Sequence, residues 1–137
     1  MAKYVNCIID PQEVLKWQAP DGSRENQPLI TQDICGAETC LAGLWSIRPG
    51  LQCATDIHND ADELYYVVAG EGELSLDDEV YPVREGMTIF IPRGVSHRTR
   101  NTGDTDLTYY WVFAPPSRET SRPEAEGWKK IEAPDRV

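Results

Sequence analysis

The sequence predicts an all-β fold, and three observations carry that prediction. Short runs rich in Val, Ile, Leu, Tyr and Thr recur between turn-forming residues at a spacing of about ten. One of them, residues 52–58, alternates, so that Gln52, Ala54, Asp56 and His58 would share a strand face. The whole is 137 residues with a 40% hydrophobic share, enough for one domain with a real core and without an internal repeat.

In chain order, residues 4–9 read as a short strand or arm. Asp10, Pro11 and Glu13 then make a helix start, with an N-cap aspartate, proline at the first helical position and an acid in the first turn. That helix has room for only a turn or two. Residues 19–28 (APDGSRENQP) are rich in turn formers and read as a polar loop. Residues 29–34 and 40–49 read as strands, the second running to the Pro49-Gly50 turn. Residues 64–69 are mostly apolar, as in a strand covered on both sides. Residues 73–76 and 79–83 flank Asp77-Asp78, a two-residue hairpin loop, and Pro82 places the second of them at an edge or bulge. Residues 87–91, 97–101 and 107–113 complete the set. Beyond Ala114 the chain is rich in Pro and Glu, yet Trp128 and Ile131 predict that part of this tail packs on the barrel or a neighbouring subunit. The expected layout is a single domain over 1–137, with a core at 29–114, an N-terminal arm at 1–28 and a C-terminal tail at 115–137.

A net charge of −10 argues against nucleic acid, which wants clustered Lys and Arg. No apolar run reaches the roughly 18 residues of a membrane span, and MAKYVNCIID lacks the apolar stretch of a signal peptide. These features predict a cytoplasmic protein with no membrane partner. Cys7, Cys35, Cys40 and Cys53 form no C-x-x-C pair and suit free thiols in a reducing compartment. Strand parity with Asp56 and His58 turns Cys53 away from their face, as a small buried hydrophobe.

The chain's two histidines, His58 and His97, lie in two segments that belong together. The first is Gly50, five residues, Asp56, Ile57, His58, a short loop, Glu63 and Gly70; the second is Gly86, Pro92, Gly94, His97 and Asn101. Two imidazoles and two carboxylates on neighbouring strands compose a site for a first-row metal.

These segments resemble the two motifs of the cupin superfamily. The second matches throughout; the first departs only at Asp56, where the family usually carries a histidine. The resemblance implies a double-stranded β-helix (jelly-roll) barrel with a metal in its mouth, held by Asp56, His58, Glu63 and His97. One divalent transition metal is the expected cofactor, with Fe or Mn preferred and Zn or Ni also compatible with the donors. Asp56 stands open between three roles: a fourth ligand, a general base beside the metal, or a change that damages metal affinity.

Parity predicts that Gln52, Tyr65, Val67 and Thr99 face inward, with Gln52 and Tyr65 as substrate contacts or simple wall residues. Trp111, in the Tyr109-Tyr110-Trp111 patch, is either a pocket wall or core. Arg48, Arg93, Arg98 and Arg100 lie near the site in sequence and read as solvated. The reading that follows is a metal-dependent enzyme acting on a small oxygen-rich molecule, with Asp56 or Glu63 moving the proton in an isomerisation, elimination, decarboxylation or cyclisation. An Fe(II)-dependent dioxygenase and a non-enzymatic binding or sensor module are the alternatives. The unpaired edges and the Trp128 segment predict a homodimer.

Overall fold

The computed structural model describes residues 2–117 and 127–131. Ten strands run in chain order: β1 (Lys16–Gln18), β2 (Arg24–Ile30), β3 (Leu41–Ile47), β4 (Asp62–Ala69), β5 (Glu71–Leu76), β6 (Glu79–Arg84), β7 (Thr88–Ile91), β8 (His97–Asn101), β9 (Leu107–Ala114) and β10 (Lys129–Ile131). Seven form one sheet in the order β10-β1-β2-β3-β9-β4-β7, and three form a second in the order β6-β5-β8. Every pairing is antiparallel. Two such sheets, closed over a shared interior, make the jelly-roll barrel the sequence predicts.

Alternation along the strands sorts the side chains into inside and outside. On β9, Leu107, Tyr109, Trp111 and Phe113 are buried; on β4, Glu63, Tyr65 and Val67 are; on β8, His97, Thr99 and Asn101 are. Ile47, Val67, Leu74, Val83 and Leu107 supply the aliphatic part of the core. Further along the same strands the inward positions turn aromatic and polar, and there the interior opens into a cavity. Gly43 on β3 makes room for that change. A Cβ on it would lie 2.8 Å from the Trp111 ring and 2.4 Å from the Gln27 carbonyl, so the bare backbone is what lets the indole lie across β3.

Several expected elements are found where expected. Asp77-Asp78 closes the β5–β6 hairpin, with Asp77 at φ 50°, and β6, which holds Pro82, is an edge strand. The start at Asp10 yields one short 3-10 turn, Pro11–Glu13, with the Asp10 carboxylate accepting from the Gln12 N–H. Trp128 packs on the barrel, and β10 pairs with β1; tail residues 118–126 and 132–137 lie outside the described residues.

Four local readings are corrected. Within residues 4–9 there is no strand but a 3-10 turn at Val5–Cys7. The polar loop expected over residues 19–28 ends at Ser23, and its second half is β2, which sits inside the large sheet between β1 and β3. The strand expected over 29–34 ends at Ile30, because the Thr31 hydroxyl caps a helical turn, Gln32–Cys35, by accepting from the Ile34 N–H. β4 is covered on one face only: Leu64, Tyr66 and Val68 are exposed, and so is Phe90 opposite Leu64 on β7. The large sheet also reaches beyond residues 29–114, since β1 and β10 come from the arm and the tail.

Candidate metal centre

Segment 52–58 is not a regular strand. It lies along the free edge of β8, bridging it at Gln52–Arg100 and Asp56–His97. Four steps on one chain therefore oppose three on the other, and the extra residue is a bulge. A bulge shifts facing by one residue, so parity counted back from Asp56 fails at Cys53 and Gln52. Cys53 lines the cavity, its thiol accepting from the Thr99 N–H at 3.2 Å and pushed up in pKa by burial. Gln52 is exposed and sits in a separate polar recess with Asp21, Ser23 and Arg100, so the expected substrate contact at Gln52 is not part of the cavity.

The bulge delivers Asp56 to a fixed place. Asp56 and His97 exchange both backbone hydrogen bonds, N–H to carbonyl in each direction at 2.9 Å. His58 is tied to the turn that leads into β8 by the Gly94 N–H, which donates to its carbonyl at 2.8 Å. Gly94 has φ 77°, a conformation in which a side chain would be strained. The second motif's turn and the first motif's histidine are thus one construction.

These constraints bring donor atoms of Asp56, His58 and His97 within 4.8 Å of one another. Ligand bonds to a first-row ion are about 2.0–2.2 Å, so donors on opposite sides of one ion lie a little over 4 Å apart, and this cluster is close to that span. The imidazoles of His58 and His97 are both buried, with ring centroids 5.3 Å apart. His97 Nδ1 lies 3.0 Å from the Val95 carbonyl, which holds its hydrogen and leaves Nε2 to face the donors. His58 packs edge-on against Phe113, and its buried Nδ1 has no hydrogen-bond partner among the described residues. Its Nε2 is 3.4 Å from Asp56 Oδ2. Two imidazoles, a carboxylate and an orphaned ring nitrogen fit a divalent transition metal.

Glu63 is not one of the mutually close donors. Its Oε1 lies 3.1 Å from His97 Nε2 and accepts from the Tyr65 hydroxyl at 3.1 Å. Desolvation pulls the His97 imidazole down in pKa, but the Glu63 hydrogen bond, the Val95 carbonyl and the charges of Glu63 and Asp56 outweigh it, and the net shift is upward. Asp56 moves the other way. Partial burial raises its carboxyl, the hydrogen bond and charge of His58 and the Ile57 N–H oppose that, and the net shift is downward. Burial pushes the Tyr65 and Tyr109 phenols well above their usual range, so both remain neutral donors.

The cluster faces a cavity of about 240 Å³, a little below the ~300 Å³ at which typical small-molecule sites begin. Tyr65, Tyr109, Trp111, Phe113, Trp45 and Trp128 supply its aromatic walls. Tyr65 stacks on Tyr109 at 4.2 Å, and the Trp111 indole N–H donates to Asn26 Oδ1 at 3.0 Å. Tyr65 and Trp111 therefore stand in the cavity, whereas Tyr110 points to the other face of β9. Sequence reasoning missed Arg24, Asn26, Trp45 and Trp128. The first two fell in the supposed loop, and Trp128 arrives from more than eighty residues beyond Trp45, onto which it packs at 5.4 Å.

Residues 43–113 match the family described as Cupin domain. The chain is also 34% identical over 115 residues, 84% of its length, to polyketide synthase CurC of Streptomyces cyaneus, of which the match covers 73%. This chain belongs to the cupin family. Protein SchB of Streptomyces halstedii is 37% identical over 64% of this cupin and 63% of its own length. The oxalate-binding protein of Thermotoga maritima is 27% identical over 77% of this chain and 87% of its own. In fold, this cupin superposes on the crystal structure of a predicted oxalate decarboxylase from Thermotoga maritima with a TM-score of 0.70 at 24% identity, covering 79% of this chain and 98% of that one.

Proposed function

We propose that this cupin is a metal-dependent enzyme that acts on a small oxygen-rich organic molecule by Lewis-acid and acid–base chemistry, of the isomerase, lyase, decarboxylase or cyclase type. The observation that carries the reading is the grouping of Asp56, His58 and His97 on the wall of an aromatic cavity, with Glu63 against His97. Asp56, His58 and His97 would hold one divalent ion, Fe or Mn by the hardness of the donor set, with Glu63 beside them. When bound, such an ion would polarise a substrate carbonyl and acidify the adjoining C–H or O–H.

The protein's own groups divide the rest of the work. Asp56 is the accessible carboxylate, with its side chain 60% exposed and its pKa lowered, so it is ionised and able to take a proton at Oδ2. Glu63 Oε1 is buried against His97 Nε2 and accepts from the Tyr65 hydroxyl, so with His97 on an ion it would stand beside that ion as a further anionic oxygen able to relay a proton. The aromatic walls exclude water and accept a planar substrate. The name of the CurC relative, a polyketide synthase, agrees with an oxygen-rich, carbonyl-bearing substrate.

An Fe(II)-dependent dioxygenase is the second reading. It is favoured by 29% identity, over 80% of this chain, to the 5-nitrosalicylic acid 1,2-dioxygenase of a Bradyrhizobium, and by the exposure of Asp56, which leaves that side of the cluster open. The assembly we propose is a cytoplasmic homodimer, supported by the exposed apolar row of Leu64, Tyr66, Val68 and Phe90. Sedimentation at micromolar concentration should return twice the chain mass.

The deciding experiment is elemental analysis of protein purified without added metal, followed by turnover assays on 1,3-dicarbonyl compounds with an oxygen electrode. Bound metal with turnover and no dioxygen uptake supports the main reading; stoichiometric dioxygen uptake supports the second. Metal below a tenth of an equivalent after reconstitution overturns both.

A further inference from the structure

Among the described residues, Arg24 is the one lysine or arginine that lines the cavity. Its setting is unusual for a chain with 23 acidic and 13 basic residues. Among the described residues no carboxylate lies within ion-pair distance of it. The Asp21 carboxylate, lowered in pKa first by its hydrogen bonds to Ser23 and in smaller part by the Arg24 charge, is linked to the guanidinium through the Ser23 hydroxyl rather than by a direct ion pair.

Arg24 is nevertheless held firmly. Its backbone belongs to β2, opposite Ile47 of β3, and its carbonyl accepts from the Ala19 N–H at 2.9 Å. Nε donates to the Ser23 hydroxyl at 3.2 Å, and that hydroxyl donates in turn to the Asp21 carboxylate at 2.5 Å. Asp21 is fixed by the Ser23 backbone N–H as well. One face of the guanidinium lies over the Trp128 ring at 5.3 Å, and Trp128 rests against Trp45.

With Nε bound and one face covered, the edge carrying the two Nη groups is left for a ligand. That edge presents paired N–H donors in the geometry that matches a carboxylate. The neighbouring surfaces are flat: Trp45, Trp111 and Trp128 line the same cavity, with Asn26 already committed to the Trp111 indole.

We infer that Arg24 is the anion-recognising residue of this cavity and that the substrate is a planar molecule bearing an ionised carboxyl group. The inference rests on the reading of the cavity as a substrate site and adds its chemical class. The Asp21–Ser23 pair and Trp128 are positioning groups that aim the guanidinium. The donor cluster and Arg24 then grip different parts of one ligand, carbonyl oxygens at one end and a carboxylate at the other.

The test compares 2-naphthoate with its uncharged isostere 2-naphthamide by calorimetric titration of the full chain, as purified and again after chelation of metal. A bidentate charge-assisted pair predicts naphthoate binding ~10- to 100-fold tighter than the amide. Arg24→Gln should remove that preference and leave the amide within about twofold, and Arg24→Lys, which keeps the charge but not the fork, should retain part of it. Equal affinity for the two ligands in the parent protein overturns the inference, as does equal weakening of both in Arg24→Gln. So does a preference that disappears on chelation, because the metal and not Arg24 would then be holding the carboxylate. A preference that persists in a protein that binds no metal leaves this inference standing while the metal-dependent reading falls. Should Arg24→Gln not fold, the parent and Arg24→Lys titrations still decide, since an unchanged preference in Arg24→Lys also counts against the fork.

Discussion

The two motif segments build the same cluster by opposite means. His97 sits on a regular strand, β8, paired with β5 on one side and bridged to Asp56 on the other. Its ring is buried and tied at both nitrogens, to the Val95 carbonyl and to Glu63. Asp56 and His58 come from a bulged, irregular edge. Asp56 is exposed, and one nitrogen of His58 has no partner among the described residues. The strand side fixes position through sheet hydrogen bonds. The bulged side holds the Asp56 backbone by the same kind of bond but leaves its carboxylate at the exposed rim of the cluster. A site built this way has one buried donor held at both ring nitrogens and one exposed carboxylate on a fixed backbone, and Asp56 is the second.

The largest expected effect is on the rigid side. His97→Ala should lose most bound metal and all activity, measured by elemental analysis and turnover; equal metal in mutant and parent would place the site elsewhere.

Asp56 sharpens the contrast next. If it is a ligand, Asp56→Ala weakens metal binding clearly and Asp56→His keeps the metal with altered reactivity. If it is a base, Asp56→Ala keeps metal near the parental level while the chemical step falls, typically by ~10²–10⁴-fold. Metal stoichiometry and single-turnover rates on both variants separate the cases, and no change in either quantity would remove Asp56 from the mechanism.

Tyr65→Phe tests how much of the rigid side depends on the groups behind it. The change removes the hydrogen bond to Glu63 inside the barrel and should lower metal affinity by up to ~10-fold, the low end of the cost of losing an outer partner, because Tyr65 reaches His97 only through Glu63. A competition titration with a chelator would measure it, and an affinity within twofold of the parent would show that Glu63 needs no support from Tyr65.

The smallest effect is on the pH dependence of the metal-free protein. The His97 pKa is raised in the fold, so the protonated imidazole and Glu63 stabilise the metal-free state. That contribution is complete below the unfolded value of about 6.5 and fades as pH rises through the higher folded value. Thermal melts of the chelated parent and of Glu63→Gln between pH 5.5 and 8.5 should therefore converge toward the alkaline end. A gap that widens with pH would reverse the sign and remove the ion pair as its cause.

How much of this was legible in the chain varies by residue. The Gly50–Gly70 and Gly86–Asn101 segments, by their resemblance to the two cupin motifs, implied the barrel and a shared site for His58 and His97, while turn glycines, a proline and strand parity placed the local elements. Parity held on β8, on β9 and on β4 as far as Val67, short of the register shift between Val67 and Ala69, and correctly turned Glu63, Tyr65, Val67, His97 and Thr99 inward. It failed at Gln52 and Cys53, where a one-residue bulge changes which side chains face in. β2 was unreadable for a related reason: Arg24 and Asn26 are polar because they line a cavity, and polar residues among Gly, Pro and Asp look like a loop.

The sequence by itself determined the fold class, the two histidines as partners and the odd carboxylate at Asp56. Those depend on local spacing and on side-chain chemistry that no neighbour alters. Only the tertiary structure decided that Glu63 pairs with His97 outside the group of mutually close donors, that Cys53 faces the cavity, and that Arg24 meets Trp128 there. Each of those contacts joins strands far apart in the chain, and their alignment is set by sheet register, which a bulge or a pairing partner from the tail can shift by a residue without leaving a mark in the local pattern.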